Sequence, residues 1–243
     1  MALYRYVKKE QKKPRRKLPV ALSFFSIILG SGLLLWVGWP IISFMIFTAP
    51  IFTKPTSPLP DAVSLAAVRS GKVLASETDF DGSQSAQDFT DANTWFPTRP
   101  QQKILETETY TLSIPKLEIE NAVVTVGGDD LNKSLVHYGG TALPGHYGRA
   151  VIFGHSILPQ FYNPKEYKSI FSLLPTLKIG DTMYITYDGV RYRYAVYEMS
   201  IHEPEDLSVL EQQFDDSYIT LVTCVPPGTY LKRLNVKARL QSL

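Results

Sequence analysis

Cys224 is the sole cysteine of this 243-residue chain. It closes the run Tyr218-Ile219-Thr220-Leu221-Val222-Thr223-Cys224, which Pro226, Pro227 and Gly228 bring to a stop. Arg233 stands near the start of a second run, Leu231 to Leu240, and His155 comes just after a third, Arg149 to Gly154. A thiol, a guanidinium and an imidazole at the ends of strand-like runs are the parts of nucleophilic acyl chemistry. They supply a nucleophile, a donor for a developing oxyanion and a proton carrier. A lone cysteine is often only a small buried hydrophobe. Here the alternation around it argues for chemistry.

In the run after the turn, Leu234, Val236, Ala238 and Leu240 share one face, and Arg233, Asn235, Lys237 and Arg239 share the other. The apolar face is core, so Arg233 is expected to point away from it. Ile219 and Leu221 mark the core face of the preceding run, which places Cys224 with Val222, Thr220 and Tyr218 on the opposite face. A hairpin closed around Pro226-Pro227-Gly228-Thr229 then brings Cys224 and Arg233 together, outside the core. A guanidinium beside a thiol stabilises the thiolate, so a reactive sulfur is expected.

The remaining histidines compete for the role given to His155. His137 precedes Tyr138-Gly139-Gly140 and His146 sits in a Pro-Gly turn, both read as structural or solvated. His202 opens the acidic loop His202-Glu203-Pro204-Glu205-Asp206. Carboxylate oxygens suit calcium, but the spacing lacks a regular ligand pattern, so no metal and no cofactor is expected. The sequence holds no zinc-ligand pattern, P-loop or dinucleotide-binding glycine motif. With one cysteine, no internal disulfide forms.

The N-terminal end places this chemistry. Residues 1–17 carry eight basic side chains and one acid, and Leu18 to Thr53 contains no charge. A bilayer is crossed by about 20 apolar residues. We expect a cytoplasmic basic segment at 1–17, a transmembrane helix at 18–47 ended or kinked by Pro40, and everything beyond it outside the cell. The rest of the chain holds 17 basic against 22 acidic side chains, net −5, so the overall +2 is a topology signal. No nucleic-acid partner is expected. Residues 53–107, rich in Pro, Ser, Thr, Asp and Gln, read as a largely disordered stalk. Within it Trp95-Phe96-Pro97 is an aromatic exception, read as packing on the domain surface in preference to a short lid over the site.

From residue 108 to 243 the pattern is short alternating strands: Thr111–Ile114, Ala122–Val126, Arg149–Phe153, Thr182–Tyr187, Tyr192–Tyr197, Tyr218–Cys224 and Lys232–Leu240. Short helices are expected near Asp130–Leu135 and Ser169–Leu174, and Asp188-Gly189 marks a hairpin. This predicts a mainly β domain, a barrel or a sandwich.

Several of these segments resemble one family. Leu135 to Ser156 (LVHYGGTALPGHYGRAVIFGHS) is similar to the segment of bacterial sortases that ends in their histidine. Thr220 to Cys224 (TLVTC) matches their TLxTC signature, and Lys232 to Ala238 (KRLNVKA) resembles the strand bearing their arginine. Phe171 to Asp181 (FSLLPTLKIGD) is also similar to a turn-and-strand region of these proteins. The resemblance implies a closed β-barrel of about seven or eight strands with one or two short helices, behind one N-terminal membrane helix. It implies a membrane-anchored cysteine transpeptidase with His155 as general acid and base, Cys224 as nucleophile and Arg233 as oxyanion or substrate stabiliser. Thr223, inside the signature, is a further substrate-binding candidate. The implied partners are a secreted protein carrying a sorting motif and an amine acceptor from the cell wall or a protein lysine. TLVTC close to proline resembles pilin-polymerising members, which carry a second span. The chain ends at Leu243 and shows no Asp-Pro lid motif, which favours an anchoring role. The alternative is an inert, membrane-tethered β-barrel that binds wall polymer or a partner protein, with Cys224 incidental.

Overall fold

Alternation becomes architecture in the C-terminal part of the chain. The structure is a computed structural model, and it describes residues 17–52, 90, 91, 95 and 108–241. Most of the expected stalk, with Phe96 and Pro97, lies outside the described residues. The chain divides into two units, Met1–Trp39 and Pro40–Leu243.

The uncharged run forms a helix, α1 (Lys17–Ser43), which passes into a π-turn at Phe44–Thr48 and a last short helix, α2 (Ala49–Phe52). Helical structure therefore runs past the expected end at residue 47, and Pro40 lies inside α1 without stopping it. Proline removes one backbone donor, and the irregular turn falls just downstream. Ser23–Phe52 is a 30-residue stretch apolar and long enough to cross a membrane. Within the second unit, Phe44 is buried in the core cluster, and Ala49 and Phe52 pack against it.

Eight strands come next: β1 (Thr109–Ile114), β2 (Ile119–Val126), β3 (Leu135–His137), β4 (Gly148–Phe153), β5 (Thr182–Tyr187), β6 (Val190–His202), β7 (Ser217–Val225) and β8 (Lys232–Leu240). They close into a barrel in the order β1-β2-β3-β4-β7-β8-β6-β5. The β2–β3 and β4–β7 pairs are parallel and the others antiparallel.

Three local expectations change. The helix expected near Asp130–Leu135 is a turn leading into β3, a strand too short for its alternation to show. The one expected at Ser169–Leu174 is a series of turns ending in a 3-10 turn, Leu174–Thr176, with Pro175 inside it. And β6 runs to His202, well past Tyr197. A bulge between Val196 and Glu198 shifts its alternation, so the inward residues change from Tyr194 and Val196 to Met199 and Ile201.

The barrel buries both faces of β7. Ile219, Leu221, Leu234, Val236 and Ala238 fill the interior, as alternation predicted. On the outer face, Val151, Phe153, Val222 and Cys224 form a second cluster with Trp95, Val209 and Leu210. The last two belong to a 3-10 turn, Leu207–Leu210, in the β6–β7 connection.

Candidate active site

Antiparallel register sets Cys224 directly across from Arg233. Arg233 Nη1 donates to Cys224 Sγ at 3.4 Å and to the carbonyl oxygens of Tyr230 at 3.3 Å and Lys232 at 3.5 Å. The carbonyls aim the guanidinium across the hairpin mouth. Both side chains do share the face opposite the core, as expected, but that face is not open. Cys224 is 1 % exposed and Arg233 3 %. The correction is physical: the outer cluster covers this sheet face, and alternation along two strands carries no information about a roof donated from elsewhere.

The His155 segment is stitched by backbone to the strand end that carries Cys224. β4 runs parallel to β7, and beyond its end Gly154 N donates to Val222 O at 3.2 Å. Thr223 Oγ1 donates to Gly154 O at 2.8 Å, and Ser156 Oγ donates to Cys224 O at 2.7 Å. The peptide carrying His155 is thus tied on both sides to the peptide carrying Cys224, while Phe171 N donates to His155 O from behind at 3.0 Å. Thr223 sits in this tie, its hydroxyl directed at backbone. Gly154 permits the approach: a Cβ there would stand 2.4 Å from the Phe171 ring. His155 itself is buried.

Trp95 covers the assembly. Its ring packs on Phe153 at 5.3 Å between centroids, stands 6.5 Å from the His155 ring, and has Arg233 Cζ 4.6 Å from its centroid. A cation over an indole face is favourable, the more so when water is excluded. Packing on the domain surface was expected of this residue, and it does pack on the outer face of the barrel, buried there above two of the three candidate groups. The sequence signal was there, an isolated aromatic in a polar stretch, but nothing local said where it would land. Ser156, which holds the Cys224 carbonyl, carried no signal at all.

The electrostatics also reverse an expectation. Burial pushes the Cys224 thiol up to about 11, and Arg233, which acts to lower it, does not compensate. Desolvation of a thiolate outweighs one neighbouring charge when the site is covered. In this arrangement the sulfur is a neutral thiol.

The other histidines are engaged elsewhere. His137 lies fully buried between Tyr110 Oη at 2.8 Å and Thr141 Oγ1 at 2.9 Å, and burial lowers its pKa to about 4. His146 is exposed in a turn. His202 pairs across β6–β8 with Arg233, on the side away from Cys224. Its Nδ1 contacts Asp206 Oδ2 at 2.5 Å and its Nε2 contacts Ser200 Oγ at 2.8 Å. Of the acidic-loop carboxylates, Asp206 is thus held by His202 and Ser208 N, and Glu203 by Lys232 at 2.9 Å.

A family model, the Sortase domain, matches residues 112–241, more than half of the chain. A sortase D5 transpeptidase from Clostridium perfringens is 28% identical, with 56% of this chain and 79% of that one covered and a TM-score of 0.48. Sortase C1 from Streptococcus suis is 31% identical, covering 57% and 74%, with a TM-score of 0.49. Sortase A from Corynebacterium diphtheriae is 28% identical, covering 69% and 73%, also at 0.49. None of the curated proteins compared with the chain matches it.

Proposed function

The chain belongs to the sortase family, and we propose that it is a cysteine transpeptidase acting through Cys224, His155 and Arg233. The observation that carries this reading is the 3.4 Å contact of Arg233 Nη1 with Cys224 Sγ, on a strand end to which the His155 peptide is bonded. A purely packing cysteine needs neither.

Catalysis begins with displacement of Trp95. Water and substrate then replace the apolar cover, the desolvation that favours the neutral thiol falls away, and Arg233 draws the sulfur toward thiolate. The thiolate attacks a backbone carbonyl in the sorting motif of a secreted protein. Arg233 donates to the developing oxyanion, where a fixed donor contributes a few kcal/mol. As the tetrahedral intermediate collapses to a thioester, His155 as imidazolium gives its proton to the leaving amine. The neutral imidazole then takes a proton from the incoming amine, on the cell wall or a protein lysine, and the new amide forms with release of Cys224. Thr223 contributes by holding the His155 peptide in place.

The helix Ser23–Phe52 anchors the chain, with the basic N-terminal segment cytoplasmic and the barrel outside, in line with the bias of basic residues toward the cytoplasm. The reading uses no cofactor. A full-length chain incubated with sorting-motif peptide and an amine should accumulate a thioester on the Cys224 peptide, seen by mass spectrometry and discharged by hydroxylamine. Cys224→Ala should abolish both adduct and ligated product. Ligation by that variant sinks the reading.

A further inference from the structure

The apolar helical stretch is longer than a bilayer requires. Ser23–Phe52 covers 30 residues, about 45 Å at a rise of about 1.5 Å per residue, against a hydrocarbon core of about 30 Å. Membrane helices tilt by up to about 40°, and at that tilt the stretch is still longer than the core. Lys17 ends the basic segment, and the exposed Trp36 and Trp39 follow it by about 20 residues, where an aromatic belt marks the outer interface. Residues 40–52 therefore begin where the hydrocarbon stops, and they belong to the same compact unit as the barrel.

Only Ser43 and Thr48 are polar in this segment. One side of it meets the barrel: Phe44 is buried in the core cluster, Ala49 and Phe52 pack against that cluster, and α2 contacts β6. The other side, with Ile42, Met45, Ile46, Phe47 and Ile51, is exposed. A helix that faces water is polar on its outer side, whereas one that is apolar all round is covered by protein or by lipid. The barrel continues the patch. Ile179, 73 % exposed, stands in a turn that Gly180 N ties to Val196 O at 2.8 Å. Between this turn and α2 opens a cavity of about 1550 Å³, walled by Ile51, Phe52, Leu177, Ile179, Met199 and Ile201. Large exposed apolar surfaces mark interaction sites, and the neighbour that continuity with the span supplies is the bilayer.

We propose that residues 40–52 and the Ile179 turn form a membrane-docking face. The segment lies among the headgroups of the outer leaflet, and its free apolar side reaches about 5–10 Å into the boundary between headgroups and acyl chains. Ile179 inserts beside it, and the cavity between them opens to lipid. Lys178 and Lys232 line the polar edge of that cavity and suit lipid phosphate, with Glu203 sharing Lys232 at 2.9 Å. The barrel is thereby held at a fixed height on the bilayer, by packing against the end of its own span. The inference rests on the membrane-anchor reading and goes beyond the transpeptidase reading, which it does not need.

The test uses the full chain in nanodiscs of phosphatidylglycerol and phosphatidylethanolamine, with part of the lipid bearing a nitroxide near the headgroup. Cys224→Ala removes the native thiol, and Ile179→Cys carries a bimane fluorophore. This label should lose most of its fluorescence to the nitroxide lipid. The same label at Lys133→Cys should keep it, because Lys133 is exposed ahead of β3, four strands from β6 either way round the barrel. Adding Phe47→Asp and Ile51→Asp, both at exposed positions, should restore the Ile179 fluorescence and leave urea unfolding of the barrel unchanged. If that variant does not fold, Ile179→Asp with the label at Ile51→Cys is read the same way. Equal fluorescence at Ile179 and Lys133, or quenching at Ile179 that survives the two aspartates, overturns the docking face. A chain that does not enter the discs overturns the anchor reading and the docking face with it. A wild-type chain that docks but transfers no peptide sinks the transpeptidase reading alone.

Discussion

The two faces of β7 and β8 are made of alternate residues on the same strands, and both are buried. Inside the barrel, Ile219, Leu221, Leu234 and Val236 belong to the hydrophobic core, and His137 is held on both ring nitrogens. Outside it, at equal burial, Arg233 Nε, Asn235 Oδ1 and Thr220 Oγ1 lack partners among the described residues, and the Cys224 thiol is pushed up to about 11. Burial does not separate core from site here; hydrogen-bond satisfaction does. The inner face commits its contacts to the folded state, whereas the outer face leaves polar groups unpaired, among the described residues, in a cluster that includes Trp95.

The contrast can be broken from either side. The largest expected effect after loss of the nucleophile is on the outer face: His155→Ala should cut transfer by roughly 10²–10⁴, the usual contribution of general acid–base catalysis, with little change in Tm. A variant that keeps its rate would move the proton carrier to another group. The inner face should respond in the opposite way. Leu221→Ala, at a fully buried position, should lower stability by about 2–5 kcal/mol in urea unfolding while the folded fraction transfers peptide at a near-native rate. Equal losses of stability and turnover in both variants would erase the distinction.

Titration sharpens it further. His137 is buried neutral with its pKa lowered from 6.5 to about 4. Below 6.5 the unfolded chain takes up a proton that the folded chain refuses. Its contribution to stability is therefore present above 6.5 and lost as pH falls toward 4, an effect of roughly 3 kcal/mol. Urea midpoints between pH 7 and 4 should show this loss, and His137→Gln should flatten it. On the outer face titration governs reactivity. Alkylation of Cys224 needs the thiolate, so the wild-type rate should keep rising with pH toward about 11. Trp95→Ala admits water, should shift that limb down toward the ordinary value of 9, and should raise alkylation at pH 8 by up to about a hundredfold. An unchanged profile would mean that Trp95 is not what keeps the thiol neutral.

How much of this was legible depends on the range of the interactions involved. Alternation is local, and it placed Ile219, Leu221, Leu234 and Val236 in the core and paired Cys224 with Arg233 across the hairpin. The uncharged run from Leu18 likewise predicted an apolar helix, because composition over about 20 residues suffices. Pro40 does not end the helix, which continues to Ser43 past the lost donor. The strand β6 was half hidden because a bulge changes the period that makes a strand readable.

What the sequence by itself determined, then, is which residues share a strand, which face they take and which groups have the chemistry to react. Only the tertiary structure decided the state of those groups. Trp95, more than fifty residues before His155 in the chain, lands on Arg233 and Phe153, and the turn at Leu207–Leu210 roofs the same cluster. Desolvation depends on every atom that excludes water, whatever its distance along the chain. For that reason a thiol that its neighbours along the strand mark as reactive is held neutral in the closed protein.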